Sequence, residues 1–396
     1  MRRILLADAD AFFVAVARAV DPAGAGRAPL LIVGGSRDSR GVVCCASYET
    51  RQFGVRSAMP ISRALRLCPD AVCVPVPFKA CGRKSAEIRT VLLQFAPIVE
   101  GASIDEWYLD LTGTEGLYHH EALATTAQRI RAAVLEASRI TLSIGGGTNK
   151  LIAKMAAARA KPDGVVIVDP GGEESFLRSC TLAEIPLVGP KFQERLATHG
   201  LVMIEDVLRY DVATLQRWMS KREAAWLWNR VHGIEDSVVA HREVARGLSR
   251  EETFGKDLHE DRDLERELLR LVTRAAADLR AAGLSTRTVA VRLRDWDFRT
   301  HSARRTLAEP VVSDRVILGV ARELLAALRK ARRVPARLVG VRLSGLAPAQ
   351  SATQFGLFPT AETERDRGLA GAIDRVRGKY GPKSIVPGTL QRMDSP

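Results

Sequence analysis

Ser103-Ile104-Asp105-Glu106-Trp107-Tyr108-Leu109-Asp110-Leu111 is an apolar, β-forming run with two adjacent carboxylates near its start. Neighbouring side chains of a regular strand point to opposite faces, so Asp105 and Glu106 share one site only where the chain bends. Residues 97–102 read as a second strand that Gly101 is free to turn, which puts the acidic pair at a hairpin corner. Another acid-bearing strand is Ile4-Leu5-Leu6-Ala7-Asp8-Ala9-Asp10. Three carboxylates from two strand ends suit a pair of Mg²⁺ ions, which take a few hard oxygen ligands and leave other positions to phosphates. Asp8, Asp105 and Glu106 are therefore the expected metal ligands of a phosphoryl or nucleotidyl transfer site.

The chain has 396 residues, 46% of them hydrophobic, enough for two to four domains with ordinary cores. Its net charge of +13 points to a polyanionic partner. Nucleic acid is favoured over a membrane, because no basic amphipathic anchor and no run of spanning length is visible. Arg2 and Arg3 precede an apolar run, but Asp8 and Asp10 interrupt it, which argues against a secretory signal. The six cysteines form no C-x-x-C pair and have no histidines at zinc spacing. A reduced, cytoplasmic protein without a disulfide framework or zinc knuckle is expected.

From residue 12 a helix begins with Phe12 and Phe13, within about a turn of Asp8 and Asp10, although core packing accounts for a Phe equally simply. Strands are expected over 29–33 and 41–46. In Ser47-Tyr48-Glu49-Thr50-Arg51, Tyr48 and Arg51 share a helix face, where a guanidinium fork and a phenol could grip phosphate. A solvated Arg beside a packed Tyr is the plainer alternative. Helices are expected over 80–95 and 121–138 and a strand over 140–144. That strand runs through Gly145-Gly146-Gly147 into a helix over 148–157, capped by Thr148 or Asn149. The turn Lys161-Pro162-Asp163-Gly164 presents Lys161 either to a terminal phosphate or to the last helical carbonyls. This mixture of hairpins and helices predicts an α+β layer.

Residues 182–232 read as four short helices forming a small domain, with a helix-hairpin-helix look about 185–201. Loss of periodicity over 234–245 marks a linker. A last domain, about 246–344, alternates strands (288–293, 304–306, 337–343) with helices (264–281, 314–330). Over 246–345 stand 22 Lys and Arg against 14 Asp and Glu, a net of +8. Arg287, Arg292, Arg294, Arg299, Arg304 and Arg305 cluster there, as strand arginines tracking a phosphate backbone would. Genomic base composition could also favour Arg over Lys. The polar tail from 346 contains Gln354-Phe355-Gly356-Leu357-Phe358-Pro359, the pattern of an aromatic docking peptide in a spacer.

These motifs in this order resemble the Y-family translesion DNA polymerases, most closely the bacterial polymerase IV branch. The resemblance rests on residues 7–13, 47–60, 103–110 and the run from Asn149-Lys150 through Lys154 to Lys161-Pro162-Asp163-Gly164, and spans about residues 1–345. It implies a multi-domain right-hand polymerase: an antiparallel palm sheet (1–18 and 76–166), small fingers (19–75), a helical thumb (167–233), a linker (234–244), an α/β little finger (245–345) and a tail (346–396) with a clamp-binding peptide. It implies that Asp8, Asp105, Glu106 and the Ala9 carbonyl ligate two Mg²⁺, one serving the primer 3′-hydroxyl and the other the leaving pyrophosphate. Tyr48, Arg51 and Lys161 would hold the dNTP triphosphate, and Phe13 would be the steric gate beneath the sugar. Gln354, Phe355, Leu357 and Phe358 would dock on a sliding clamp. The expected enzyme is a low-fidelity, DNA-damage-bypassing monomer acting on primer-template DNA.

Several positions depart from the family pattern. Ala11, Cys45, Gly147 and Trp107 replace its usual residues, and Leu187 stands where the thumb hairpin usually has its first glycine. A non-catalytic polymerase-like adaptor at the clamp is the alternative from another class, disfavoured because all three carboxylates stand. A nucleotide cyclase shares the metal chemistry but not the basic last domain.

Overall fold

A computed structural model describes residues 2–37, 40–241, 246–349 and 362–393. Two compact units, Met1–Arg242 and Glu243–Pro396, divide the chain. In chain order the first contains β1 (Ile4–Ala9), α1 (Phe12–Val20), β2 (Leu31–Gly34), β3 (Val43–Ala46), α2 (Tyr48–Gln52), α3 (Ile61–Leu67), β4 (Val72–Val74), α4 (Phe78–Leu92), β5 (Ile98–Gly101), β6 (Glu106–Asp110), α5 (Leu123–Ser138), β7 (Leu142–Gly147), α6 (Lys150–Ala160) and β8 (Val165–Ile167). Short helices follow: α7 (Glu173–Arg178), α8 (Pro190–Ala197), α9 (Ile204–Leu208), α10 (Val212–Leu215) and α11 (Lys221–Val231). The second unit contains β9 (Gly247–Leu258), α12 (Asp261–Ala281), β10 (Leu284–Asp295), β11 (Thr300–Val311), α13 (Asp314–Ala331), β12 (Ala336–Pro348) and α14 (Glu364–Tyr380).

The first unit is built on a five-stranded sheet ordered β5-β6-β1-β7-β8. Its pairings are antiparallel apart from β8, which joins β7 in parallel, the one departure from the expected antiparallel palm. β1 is buried along its whole length, so its sequence is a continuous apolar run closed by Asp8 and Ala9. Leu5 and Ala7 face the core shared with α4 and α5, whereas Ile4 and Leu6 meet Ala153 and Ala157 of α6. A small sheet, β3-β2-β4, carries α2 and α3, and its strand β4 adds to the elements expected from sequence. Among the described residues four short α-helices, α8 to α11, fill 182–232 as expected, and α7 precedes them, around a core that includes Leu196, Ile204 and Leu227. The stretch expected as a linker packs in part onto the sheet: Val239 is buried, and the Ala240 N–H donates to Glu100 at 3.0 Å.

In the second unit a four-stranded antiparallel sheet, β11-β10-β12-β9, is covered on one face by α12 and α13. Leu264, Leu268, Leu271, Val272, Ala275 and Leu279 recur on one side of α12 and share a core with Val289 and Val291 of β10 and Val339 and Val341 of β12. β9 is a further strand beyond those expected, and the tail is not only a spacer. Its described part holds α14, whose Asp374 accepts a hydrogen bond from the Arg280 Nε at 2.6 Å and whose Ala370 is buried. Residues 354–358 lie outside the described residues. Among the described residues no helix is long and apolar enough to cross a membrane.

Candidate active site

The carboxylates meet at one end of the central sheet. Asp8 on β1 stands opposite Glu106 on β6 and Ser143 on β7, so the three side chains share a face. The stretch from Ser103 is not strand throughout: residues 102–105 form the turn, and β6 begins at Glu106. The N–H groups of Ala102 and Ser103 donate to the Glu106 carbonyl at 2.9 and 3.3 Å, and the Ala9 N–H donates to the Asp105 carbonyl at 2.9 Å. The bend required for adjacent acids is thus the β5–β6 hairpin itself. The Asp105 carboxylate accepts a hydrogen bond from the Ser103 hydroxyl.

Glycines in β7 bring α6 onto the sheet. A Cβ at Gly145 would lie 2.0 Å from the Ala157 nitrogen and 2.2 Å from the Ala153 oxygen, and one at Gly147 would lie 2.5 Å from Ile152. Only bare backbone lets the helix approach so closely. Asn149 caps α6 by accepting from the Ile152 N–H at 3.0 Å. Lys150 and Lys154, one turn apart, then point at acids: Lys150 Nζ reaches Glu100 and Lys154 Nζ reaches Glu106, each at 2.7 Å. Beyond the helix, Lys161 Nζ donates to Asp8 Oδ1 at 2.6 Å.

Burial pushes the Asp8 carboxyl up to about 6; Lys161 opposes that rise, and the charges of Glu106 and Asp105 add to it. Such a cluster calls for positive charge, and ammonium groups supply it on Asp8 and Glu106. Among the described residues no three Asp, Glu, His or Cys side chains are gathered as a ready metal cage. The residues nevertheless fit a hard divalent cation by chemistry: oxygen donors on adjoining strand ends, with negative charge gathered at a partly buried site.

Asp10, part of the first acid-bearing run but without an expected role, is a buried hub. It accepts from the Tyr48 hydroxyl at 3.1 Å, the Ser143 hydroxyl at 2.8 Å and the Asp163 N–H at 3.0 Å. One carboxylate therefore ties α2, β7 and the turn carrying Lys161 together. Arg51 lies over the Tyr48 ring, 4.6 Å from its centroid, and its Nε donates to the Ala46 carbonyl at 3.0 Å. Phe13, on the first turn of α1, is half-buried and packs edge-on against Phe12.

The expected arginine cluster separates by face. Arg292, Arg294 and Arg304 lie on the side of the sheet opposite the α12–α13 core, with Arg342 beside Ala290 on the same side. Arg342 was absent from the sequence-based set, although its spacing along β12 carried the signal. Arg292 is paired with Glu251 at 3.0 Å. Arg305 stands opposite Val289, on the helix side, and pairs with Glu323. Arg287 donates to the Ala308 carbonyl at 2.8 Å, and Arg299 lies at the β10–β11 turn.

The impB/mucB/samB family profile matches residues 7–158, and that of its C-terminal domain matches residues 245–357. The chain belongs to the impB/mucB/samB family. It is 36% identical to a DNA polymerase IV of Caulobacter vibrioides, over 96% of this chain and 92% of that one. It is 33% identical to a DNA polymerase IV of Dehalococcoides mccartyi, over 99% and 98%. Among solved structures, a Y-family DNA polymerase chimera of Dbh and Dpo4 superposes with a TM-score of 0.77 at 25% identity, over 87% of this chain and 98% of that one. DinB from Sulfolobus solfataricus superposes with a TM-score of 0.60 at 26% identity, over 86% and 98%. This impB/mucB/samB protein is thus Y-family and polymerase IV-like. One departure from the family pattern has a structural reading: Leu187 adopts φ 76, the left-handed region that glycine occupies freely, and the residue is 85% exposed.

Proposed function

We propose that Asp8, Asp105 and Glu106, with the main-chain carbonyl of Ala9, hold two Mg²⁺ at the catalytic centre of this polymerase. Family membership makes the chain a DNA-directed DNA polymerase of the translesion class, divalent-metal-dependent and acting on primer-template DNA with dNTPs. The observation that carries the metal assignment is the ladder pairing of Asp8 with Glu106 beside the Asp105 carbonyl bonded to Ala9. When bound, such a pair of cations lowers the pKa of a primer 3′-hydroxyl and neutralises charge on the leaving pyrophosphate.

The chain's own residues do the positioning. Tyr48, Arg51 and Lys161 bind the triphosphate, Asp10 orients Tyr48, and Phe13 excludes a 2′-hydroxyl. In this reading residues 1–18 and 76–166 are the palm, 19–75 the fingers, 167–233 the thumb and 245–345 the little finger, whose Arg292, Arg294, Arg304 and Arg342 face the DNA backbone. The enzyme works as a cytoplasmic monomer and docks on the sliding clamp through Gln354, Phe355, Leu357 and Phe358. Primer extension is the test. Asp105→Ala should abolish incorporation while DNA binding stays largely intact, and wild-type incorporation would remove the metal role. Deleting residues 354–358 should end stimulation by the clamp and spare basal synthesis; unchanged stimulation would dismiss the docking peptide.

A further inference from the structure

β10 turns into β11 through Trp296-Asp297-Phe298-Arg299, a tip with more exposed aromatic surface than a turn needs. Its frame is fixed. The Asp295 N–H donates to the Arg299 carbonyl at 2.9 Å, the Phe298 N–H to the Asp295 carbonyl at 3.0 Å, and the Trp296 N–H to the Pro335 carbonyl at 3.0 Å. Arg332 bonds both the buried Asp295, through its Oδ2, and Asp297, the latter at 2.8 Å. On this frame Trp296 is 55% and Phe298 63% exposed. Phe298 holds φ 65, in the left-handed region where glycine would sit without strain. Arg337 lies 4.5 Å from the Phe298 ring centroid, and Arg299, 3.5 Å from Asp297, keeps its side chain 72% exposed.

We propose that this tip is a stacking site for an unpaired nucleobase, with Trp296 and Phe298 as its faces and Arg299 and Arg337 meeting the flanking phosphates. Every base has a π-face, and aromatic platforms framed by arginine suit single strands without demanding a sequence. The charge of the tip favours a polyanion over a protein partner, and Arg294, two residues before Trp296, continues it into the arginine face. The proposal rests on the reading of that face as a DNA surface.

The test uses the full chain and three DNAs: a blunt duplex, the same duplex with a single-stranded 5′ extension, and the single strand alone. Trp296→Ala and Phe298→Gly are the variants, the glycine preserving the left-handed turn, and thermal melting verifies their folding. Both should bind the blunt duplex as wild type does and lose about tenfold in affinity for the extended duplex and the single strand. Unchanged binding of all three DNAs, with Arg304→Ala weakening the duplex, would overturn the stacking site alone. Equal duplex binding by Arg304→Ala and Arg342→Ala would instead remove the underlying DNA face. Loss of clamp stimulation with unaltered DNA binding would reassign the tip to a protein contact and overturn the proposal.

Discussion

At the scale of single residues, Asp8 is where burial and charge contend. Its folded pKa, about 6, lies above the ordinary 3.8, so its contribution to stability is fully present below 3.8 and is lost as pH rises through about 6. Asp8→Asn removes that loss. Without divalent metal, the variant should be more stable than the wild type at pH 7 to 8, by up to about 3 kcal/mol, with the gain shrinking toward pH 4. Thermal melting across that range checks it, and a variant less stable than wild type at both ends would refute this account of Asp8. Phe13 makes the second residue-scale claim. Phe13→Ala should admit ribonucleotides in single-nucleotide incorporation, and unchanged sugar selectivity would show that the ring is core packing and no gate.

At the scale of elements, the site depends on α6 lying directly on β7. Gly145→Ala puts a Cβ against backbone atoms of α6, which cannot swing aside, and should destabilise the first unit by on the order of 3 kcal/mol. Gly146→Ala meets the side-chain ends of Ile167 and Leu5, which can yield, and should cost less. Chemical denaturation of the two variants compares them, and equal losses would contradict the close-approach argument. The helix α6 and the hairpin corner were legible in the sequence because Asn149 is a strong cap and two β-forming runs flank the corner, although Gly101, expected to turn the chain, ends β5 opposite Trp107 and the turn falls at 102–105. β4 and β9 were not: a three-residue strand has too few residues to show a pattern, and β9 is a polar strand mixing Arg, Glu and Lys with few apolar positions.

At the scale of the whole molecule, the net charge of +13 should appear as steep salt dependence of DNA binding. The logarithm of Kd against the logarithm of salt concentration should give a straight line, and Arg304→Ala or Arg342→Ala should each lower its slope by about one. A slope that does not change would place those arginines off the phosphate backbone.

The amino-acid order by itself determined which residue types were available: three carboxylates in β-forming runs, a glycine run leading into a capped helix, and a basic stretch over 246–345. Local chemistry suffices for these, because turns, caps and periodicity are properties of neighbours. Tertiary structure alone decided that Asp8 pairs with Glu106, that Lys154 and Lys161 answer those charges, that Asp10 gathers three segments, and that Arg305 leaves the arginine face for the helix side. Those outcomes depend on strand register and helix packing between segments as far apart as the 153 residues separating Asp8 from Lys161. A shift of one residue in register would turn the strand-borne side chains among them to the other face.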